Sequence, residues 1–272
     1  MIAIKSEREI ERIRAACELV GRTLAEVAQR IVPGVRTRDL DAIAEAYIRD
    51  HGGIPAFKGY RVGGRRFPAA LCISVNDEVV HGIPGDRVLV YGDIVSVDCG
   101  VLLEGYYGDS AYTFVVGETS PENERLLRVT YEALYKGIAQ AVPGHTVGHI
   151  GAAIQAHVEA HGFHVVRDLV GHGIGRHLHE EPPVPNYGRP GEGPRLVAGM
   201  TLAIEPMVNR GTWKVKTRKD GWTIATADGS PSAHFEHVIV VRDQGAEILT
   251  TFSYIGQLLA SESLPHGQAA GH

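Results

Sequence analysis

Two neighbouring stretches decide how this chain is interpreted: GDIVSVDCG at residues 92–100 and EGYYGDSA at residues 104–111. Each has a residue pattern typical of the end of a β-strand and carries one aspartate, Asp98 or Asp109, beside glycines. A hairpin made of the two stretches would bring both carboxylates to one point. Taken alone, either aspartate is equally well explained as a turn or strand-end residue, because aspartate is common in turns.

The second half of the chain adds three polar residues in apolar or glycine-rich surroundings. His172 lies in GHGIG (171–175), Glu205 in LAIEP (202–206) and Glu236 in AHFEH (233–237). An exposed edge strand is the alternative for Glu205, and a solvent-facing strand position is the alternative for Glu236. Buried charges are costly unless something neutralises them, and two divalent cations balance four carboxylates. The five residues together therefore predict a dinuclear metal site.

The ligand set indicates hydrolytic chemistry. Carboxylates with one imidazole suit manganese, iron or cobalt at least as well as zinc. Two such ions about 3.5–4 Å apart share a hydroxide and stabilise the oxygens of a displacement reaction. Nucleotide binding is not indicated, because Arg176 replaces the last glycine of a dinucleotide fingerprint and no P-loop motif occurs. We therefore expect a dinuclear metallohydrolase.

Composition places the chain among globular proteins of a reducing compartment. It has 272 residues, 44% of them hydrophobic, and a net charge of -5, so we expect no specific nucleic-acid binding. The basic clusters at 61–66 and 214–219 are interpreted as solvated loops, with a weak docking patch for an anionic partner as the alternative. Three cysteines form no disulfide framework, and neither a signal peptide nor a membrane-spanning run is recognisable. These features predict a cytoplasmic protein that does not enter membranes.

Periodicity predicts two helices followed by strands, twice over. The first helix begins at a capping box, Ser6 and Glu9, and the second begins at an N-cap, Thr37. Helical spacing returns at 122–141 and, after a cap at Thr146, at 147–161. The predicted strands cover 70–75, 88–90, 94–97, 112–116, 163–166, 200–208, 222–225 and 233–241. This order predicts an internally duplicated α+β domain.

Several motifs resemble those of the type I methionine aminopeptidases, a family with the duplicated pita-bread (creatinase/aminopeptidase) fold. They are CISVN (72–76), HGIP (81–84), GHGIG (171–175), HEEP (179–182), IEP (204–206) and DGWT (220–223), and the resemblance extends over about residues 4–250. It implies an α+β fold with a central curved antiparallel sheet covered by helices. We expect one catalytic domain at 1–255 and a C-terminal tail at 256–272, disordered at its end.

The resemblance also implies roles for the polar residues. Asp98 would chelate one metal, Asp109 and Glu236 would bridge both, and His172 and Glu205 would complete the second. The ions would be cobalt, manganese, iron or zinc. The catalytic residues would be Glu205, which carries a proton to the leaving amine, His179, which hydrogen-bonds the oxyanion, and His81, which contacts the scissile amide.

A substrate pocket follows from the same resemblance. Its residues would be Phe57, Tyr60, Phe67, Cys72 and Trp222, together with His81 and His179. Tyr60 and Phe67 are equally well explained as core aromatics. Three features depart from the family pattern: Phe57 replaces a frequent cysteine, residues 61–66 are longer and more basic, and His177 replaces a small residue. A His-x-His metal pair of His177 and His179 is an alternative use of those side chains.

The activity that the resemblance implies is removal of N-terminal methionine from nascent proteins and peptides with a small second residue. One alternative is an Xaa-Pro aminopeptidase or prolidase on the same fold, although only 97 residues precede Asp98, too few for the usual extra N-terminal domain. The other is a peptide-binding relative without catalysis. The expected partners are nascent N-termini, with transient ribosome association left open, and we expect a monomer.

Overall fold

The computed structural model describes residues 2–262, which form two successive helix–strand halves. The first half consists of α1 (Glu7–Ala28), α2 (Thr37–Asp50), β1 (Ile54–Pro55), β2 (Arg61–Val62), β3 (Arg65–Arg66), β4 (Leu71–Val75), β5 (Glu78–Val80), β6 (Ile94–Leu103) and β7 (Tyr106–Val115). The predicted duplication of element order is confirmed, because the second half also opens with two helices.

The second half and the C-terminal helix complete the described chain. Their elements are α3 (Pro121–Ile138), α4 (Val147–Ala160), β8 (His164–Val165), β9 (Gly171–Gly173), β10 (Glu180–Val184), β11 (Thr201–Ile204), β12 (Met207–Asn209), β13 (Val215–Thr217), β14 (Ile224–Thr226), β15 (Ser232–His234), β16 (His237–Arg242), β17 (Gly245–Ile248) and α5 (Ser253–Glu262). Helix α5 occupies the start of the predicted tail, and residues 263–272 lie outside the described chain.

The helix starts follow local capping chemistry. The predicted capping box of Ser6 and Glu9 is present at α1, so two free N–H groups of the first turn are satisfied. The prediction for α2 was wrong by one position, because Arg36 is the N-cap. The Thr37 hydroxyl instead accepts a hydrogen bond from the Gly85 backbone at 2.9 Å, which ties the helix start to a loop.

Every strand pair is antiparallel, and helices cover the sheets. In the first sheet β6 lies between β4 and β7, and in the second β11 lies between β9 and β16. Helices α1 and α2 contribute Leu24, Leu40 and Ile48 to the core over the first sheet. Burial of each such side chain contributes about 1.5–3 kcal/mol to the stability of the folded state. The expected antiparallel α+β architecture is confirmed.

Strand lengths differ from the prediction where the site lies. Strands β6 and β7 are longer than predicted and pair continuously from Ile94↔Val115 to Leu103↔Tyr106. The predicted strand at 88–90 is absent and only an isolated bridge occurs there, between Arg36 and Val88. The predicted strands at 200–208 and 233–241 are each broken in two, at residues 205–206 and 235–236. Each break contains one of the predicted ligands.

Strand β7 holds the second half of the chain through hydrogen bonds from its hydroxyl side chains and its backbone to the backbone of residues 234–236. Ser110 Oγ donates to the Glu236 carbonyl at 2.7 Å, and the Glu236 N–H donates to the Ala111 carbonyl at 2.9 Å. The Thr113 hydroxyl donates to the His234 carbonyl at 2.7 Å and accepts from its N–H at 2.9 Å. These four bonds fix the segment 234–236 against the strand that carries Asp109.

The remaining features of the described chain are an exposed hairpin, three cysteines and the polarity of the helices. Strands β2 and β3 place the basic stretch 61–66 in an exposed hairpin. The three cysteines are free and buried. Within residues 2–262, no helix is both long and apolar enough to cross a membrane.

Gly108 gives a direct test of how α1 packs on β7. A Cβ atom there would lie 2.5 Å from the Cys17 nitrogen and 2.6 Å from the Ala16 carbonyl carbon, both main-chain atoms of α1. Gly108→Ala should therefore lower the free energy of unfolding by about 1–3 kcal/mol. Gly85→Ala is the control, because its nearest neighbour would be 3.9 Å away. Equal urea midpoints for the two variants would contradict this packing.

Candidate metal centre

The β6–β7 hairpin brings the two aspartates together. Asp98 pairs with Ala111, and Asp109 pairs with Gly100. The two aspartates are therefore diagonal neighbours, and side chains at such positions point to the same face of a sheet. The predicted hairpin is confirmed, and it carries both carboxylates into one cavity.

Glu205 and His172 reach the same cavity from the second sheet. Strand β11 ends at Ile204, and Asn186 Nδ2 donates to the Glu205 carbonyl at 3.0 Å, which fixes the break. His172 lies on β9, where its Nδ1 is 2.8 Å from the Gly173 carbonyl. Because a carbonyl only accepts, Nδ1 carries the proton and Nε2 keeps its lone pair. That Nε2 lies 3.5 Å from Glu205 Oε1.

Glu236 completes the set from the break between β15 and β16. Its side chain is 2% exposed, so the solvent-facing alternative is wrong. Asp109, His172 and Glu236 each offer a ligand atom within 4.8 Å of the others. All five predicted ligands line one cavity, two from the first half of the chain and three from the second.

The electrostatics of the cluster fit divalent cations. Burial raises the pKa of Asp98 to about 7 and that of Glu205 to about 8. Burial and the neighbouring carboxylates raise the pKa values of Asp109 and Glu236 well above their ordinary range. Three carboxylate oxygens are buried without a hydrogen-bond partner: Asp98 Oδ1, Asp109 Oδ1 and Glu236 Oε1. Oxygen atoms left without donors in this way suit metal coordination.

The two predicted catalytic histidines also line this cavity. His81 follows β5 and has a left-handed backbone (φ 59°). The N–H of its neighbour Gly82 donates a hydrogen bond to Ser74 Oγ, and the Gly82 carbonyl accepts one from the Ile73 N–H of β4. Burial lowers the pKa of His81 to about 4, so its imidazole is neutral. His179 Nδ1 lies 2.7 Å from the Tyr60 hydroxyl. Both imidazoles therefore line the cavity that contains the carboxylate cluster.

His177 lies apart from the cluster. It is exposed, and its backbone N–H donates to Glu180 Oε1 at 3.0 Å. It belongs to neither group of potential metal ligands found among residues 2–262. The structure therefore gives no support to a His-x-His metal pair.

The cavity has a volume of about 350 Å³ and an apolar wall. All the predicted pocket residues line it, namely Phe57, Tyr60, Phe67, Cys72 and Trp222. Phe67 and Trp222 meet edge to face with ring centroids 5.3 Å apart. Gly100 makes room for Phe57, because a Cβ atom there would lie 2.6 Å from the ring. Tyr60 and Phe67 are thus cavity residues, as well as members of a core cluster.

His234 was not identified from the sequence, although its buried side chain lies next to that of Glu205. It is 1% exposed, and neither ring nitrogen has a hydrogen-bond partner. Its Nε2 lies 3.5 Å from Glu205 Oε2, so each oxygen of this carboxylate faces a different imidazole. The available signal was position: His234 precedes Glu236 by two residues, and such residues share a face in extended chain.

The raised pKa values predict how the metal-free protein responds to pH. Folded Asp98 and Glu205 hold protons up to about pH 7 and 8, whereas unfolded carboxyls lose them near pH 4. Because the folded state binds more protons, stability should fall as pH rises from 6.5 to 9. The buried His172 and His234 have lowered pKa values, so their protonation affects stability only below this pH range.

Melting temperatures of metal-free protein across this pH range provide the measurement. Adding manganese at pH 8.5 should restore the lost stability, because cations replace the protons. Glu205→Gln should weaken the pH dependence of the metal-free form, since it removes one of the carboxyl groups whose pKa is raised. A melting temperature that is independent of pH and metal would contradict a clustered site.

Comparison with known proteins agrees with this geometry. The model for metallopeptidase family M24 matches residues 11–243. A methionine aminopeptidase of Clostridium perfringens is 53% identical over 250 residues, covering 92% of this chain and 99% of that protein. Methionine aminopeptidase 1 of Bacillus subtilis is 51% identical over 250 residues, with the same coverage of both chains.

Solved structures show the same relationship. A crystal structure of methionine aminopeptidase from Thermotoga maritima superposes with a TM-score of 0.89 at 50% identity, covering 92% of this chain and all of that one (100%). The prolidase from Pyrococcus furiosus has a TM-score of 0.73 at 24% identity and shares the fold alone; the match covers 91% of this chain and 65% of that one. The chain therefore belongs to metallopeptidase family M24 and, within it, to the methionine aminopeptidases.

Proposed function

We propose that this protein removes the N-terminal methionine from nascent proteins and peptides whose second residue is small, with two divalent ions in its active site. The observation that carries the proposal is the convergence of four buried carboxylates and His172 on an apolar cavity. Relatives that are about half identical over most of the chain carry the name methionine aminopeptidase. The same convergence argues against a binding protein without catalysis.

Asp98, Asp109, His172, Glu205 and Glu236 would hold the two ions. When bound, such ions neutralise the carboxylates and supply a hydroxide nucleophile at neutral pH. The oxygen-rich donor set suits manganese, iron or cobalt at least as well as zinc.

The remaining side chains divide between proton transfer, orientation and specificity. Glu205 carries the proton from the attacking water to the leaving amine. Neutral His81 and His179 are placed as hydrogen-bond partners for the scissile amide and its developing oxyanion. Cys72 and the aromatic wall offer polarisable contacts to a methionine thioether.

The lining of the cavity favours an exopeptidase. It combines four carboxylates with apolar side chains, so the substrate's free amine would lie at the acidic residues while its first side chain contacts the apolar ones. We further propose that residues 1–255 act as a single catalytic domain in the cytoplasm, that the protein is a monomer, and that it meets nascent chains in transient association with ribosomes. No interaction with membranes or specific nucleic acids is included in this proposal.

Peptide cleavage with defined metals tests the reaction. Metal-stripped protein is incubated with Met-Ala-Ser and with Xaa-Pro peptides, while manganese, iron, cobalt or zinc is added in turn. Metal-dependent release of methionine alone supports the proposal. Cleavage of Xaa-Pro peptides without methionine release would favour a prolidase-like enzyme instead, and no cleavage with any metal would point to peptide binding.

Glu205→Gln tests the proton carrier while preserving side-chain shape. We expect methionine release to fall by about 10²–10⁴-fold, because the variant loses both a charged ligand and a proton acceptor. Glu181→Gln is the matched control, since Glu181 is exposed on β10. The test is the initial rate at saturating metal, and near wild-type turnover in Glu205→Gln would count decisively against the assignment.

His234 is proposed to position Glu205: its Nε2 lies 3.5 Å from Oε2 and would donate a hydrogen bond to this oxygen after a small approach. His234→Leu should weaken manganese binding by about 10–100-fold, as loss of an outer hydrogen-bond partner does in other metal sites. His234→Gln retains a donor and should keep most of the affinity. Titration calorimetry on metal-free protein compares the variants, and equal affinities for Leu and Gln would exclude the positioning role.

A further inference from the structure

A second cluster of metal-ligating side chains lies on the helical hairpin α3–α4. Glu132 belongs to α3, His157 belongs to the last turn of α4, and His161 is the residue that caps α4. Each offers one ligand atom within 4.8 Å of the other two. None of the three lines the cavity described above.

The two histidines are spaced for joint coordination. Residues four apart lie on the same face of a helix, and the rings of His157 and His161 have centroids 4.6 Å apart. His161 Nδ1 lies 2.8 Å from the His157 carbonyl, so Nδ1 carries the proton and Nε2 is free. Metal-ligating histidines typically have this arrangement, in which the second ring nitrogen donates to a carbonyl or carboxylate.

Glu132 brings a carboxylate to the same point from the neighbouring helix. Its Oε2 lies 2.9 Å from His157 Nε2. Two atoms that bind one zinc ion tetrahedrally at about 2.0–2.2 Å are separated by about 3.3–3.6 Å, so the two atoms need to move apart by less than about 1 Å to share an ion. Arg128 Nε lies 3.9 Å from the other oxygen, Oε1, and leaves Oε2 to the cluster.

The first half of the chain contains the same helix end without the cluster. His51 caps α2 as His161 caps α4, and its Nδ1 lies 2.8 Å from the Tyr47 carbonyl. Tyr47 stands four residues earlier, where α4 has His157, and its ring contacts that of His51 with centroids 4.1 Å apart and a tilt of 30°. The capping hydrogen bond therefore explains His51 completely, whereas it does not explain why His157 and Glu132 meet His161.

We propose that Glu132, His157 and His161 form a zinc site separate from the dinuclear centre. Two imidazoles and one carboxylate are a donor set that zinc accepts, and a water molecule would occupy the fourth position because His161 is exposed. Zinc binding at His157 Nε2 requires the neutral tautomer with its proton on Nδ1, so the proton moves from Nε2 to Nδ1 and coordination replaces the hydrogen bond to Glu132. The ion joins α3 to α4.

Zinc stoichiometry tests the site against a matched control. Wild-type protein, His161→Ala and His51→Ala are dialysed against micromolar zinc, and bound metal is measured by mass spectrometry. We expect wild type and His51→Ala each to bind one more ion per chain than His161→Ala. Equal stoichiometry in all three proteins, or the same loss in His51→Ala, would overturn the proposal.

A second variant tests the carboxylate without disturbing the helix. Glu132→Gln keeps the side-chain shape and should lower the zinc affinity of this site at least about tenfold. Zinc should also raise the melting temperature of His51→Ala more than that of His161→Ala. Equal increases would contradict a link between α3 and α4. Manganese-supported methionine release in His161→Ala should equal that of wild type, which separates this site from the proposed catalytic one.

Discussion

The mutual repulsion of four buried carboxylates is the constraint on which the rest of this structure depends. Each would be ionised in water at neutral pH, and burial beside the others raises every one of their pKa values. A fold keeps such a cluster only if cations or protons accompany it. The apolar cavity wall, the neutral imidazoles and the breaks in the strands are arranged around this requirement.

The cluster also explains why the two halves are bound so closely. Strand β7 supplies Asp109 and, through Ser110, Ala111 and Thr113, holds the backbone of the segment that carries Glu236. To bind one pair of ions, side chains from the two halves must be held within a few tenths of an ångström of the positions that coordination requires. Hydrogen bonds from β7 to the backbone of residues 234–236 are directional and fix these positions better than apolar packing alone.

The polar residues within strands were sufficient to predict which five side chains meet in one cavity, because a charge is expensive in an apolar strand. The duplicated fold was predicted from the order of helices and strands. The polar residues were not sufficient to predict the breaks at Glu205 and Glu236, since periodicity continues through both positions. His234 was missed for the same reason: its proximity to Glu205 depends on how β15 meets β12. The apolar run at 88–90 suggested a strand, but Val88 and Val90 are exposed and no neighbouring strand pairs with them beyond one bridge. Local sequence pattern therefore predicts which residues contribute to the site, whereas tertiary contacts determine how these residues are arranged.

The division of ligands between the halves has a consequence for synthesis of the protein itself. Asp98 and Asp109 leave the ribosome long before Glu236, the last of the five proposed ligands in the chain. With the proposed ligand set, an incomplete chain would hold two carboxylates without the three partners that complete coordination. Peptidase activity would then begin only when translation has nearly finished, and prematurely terminated fragments would be inert.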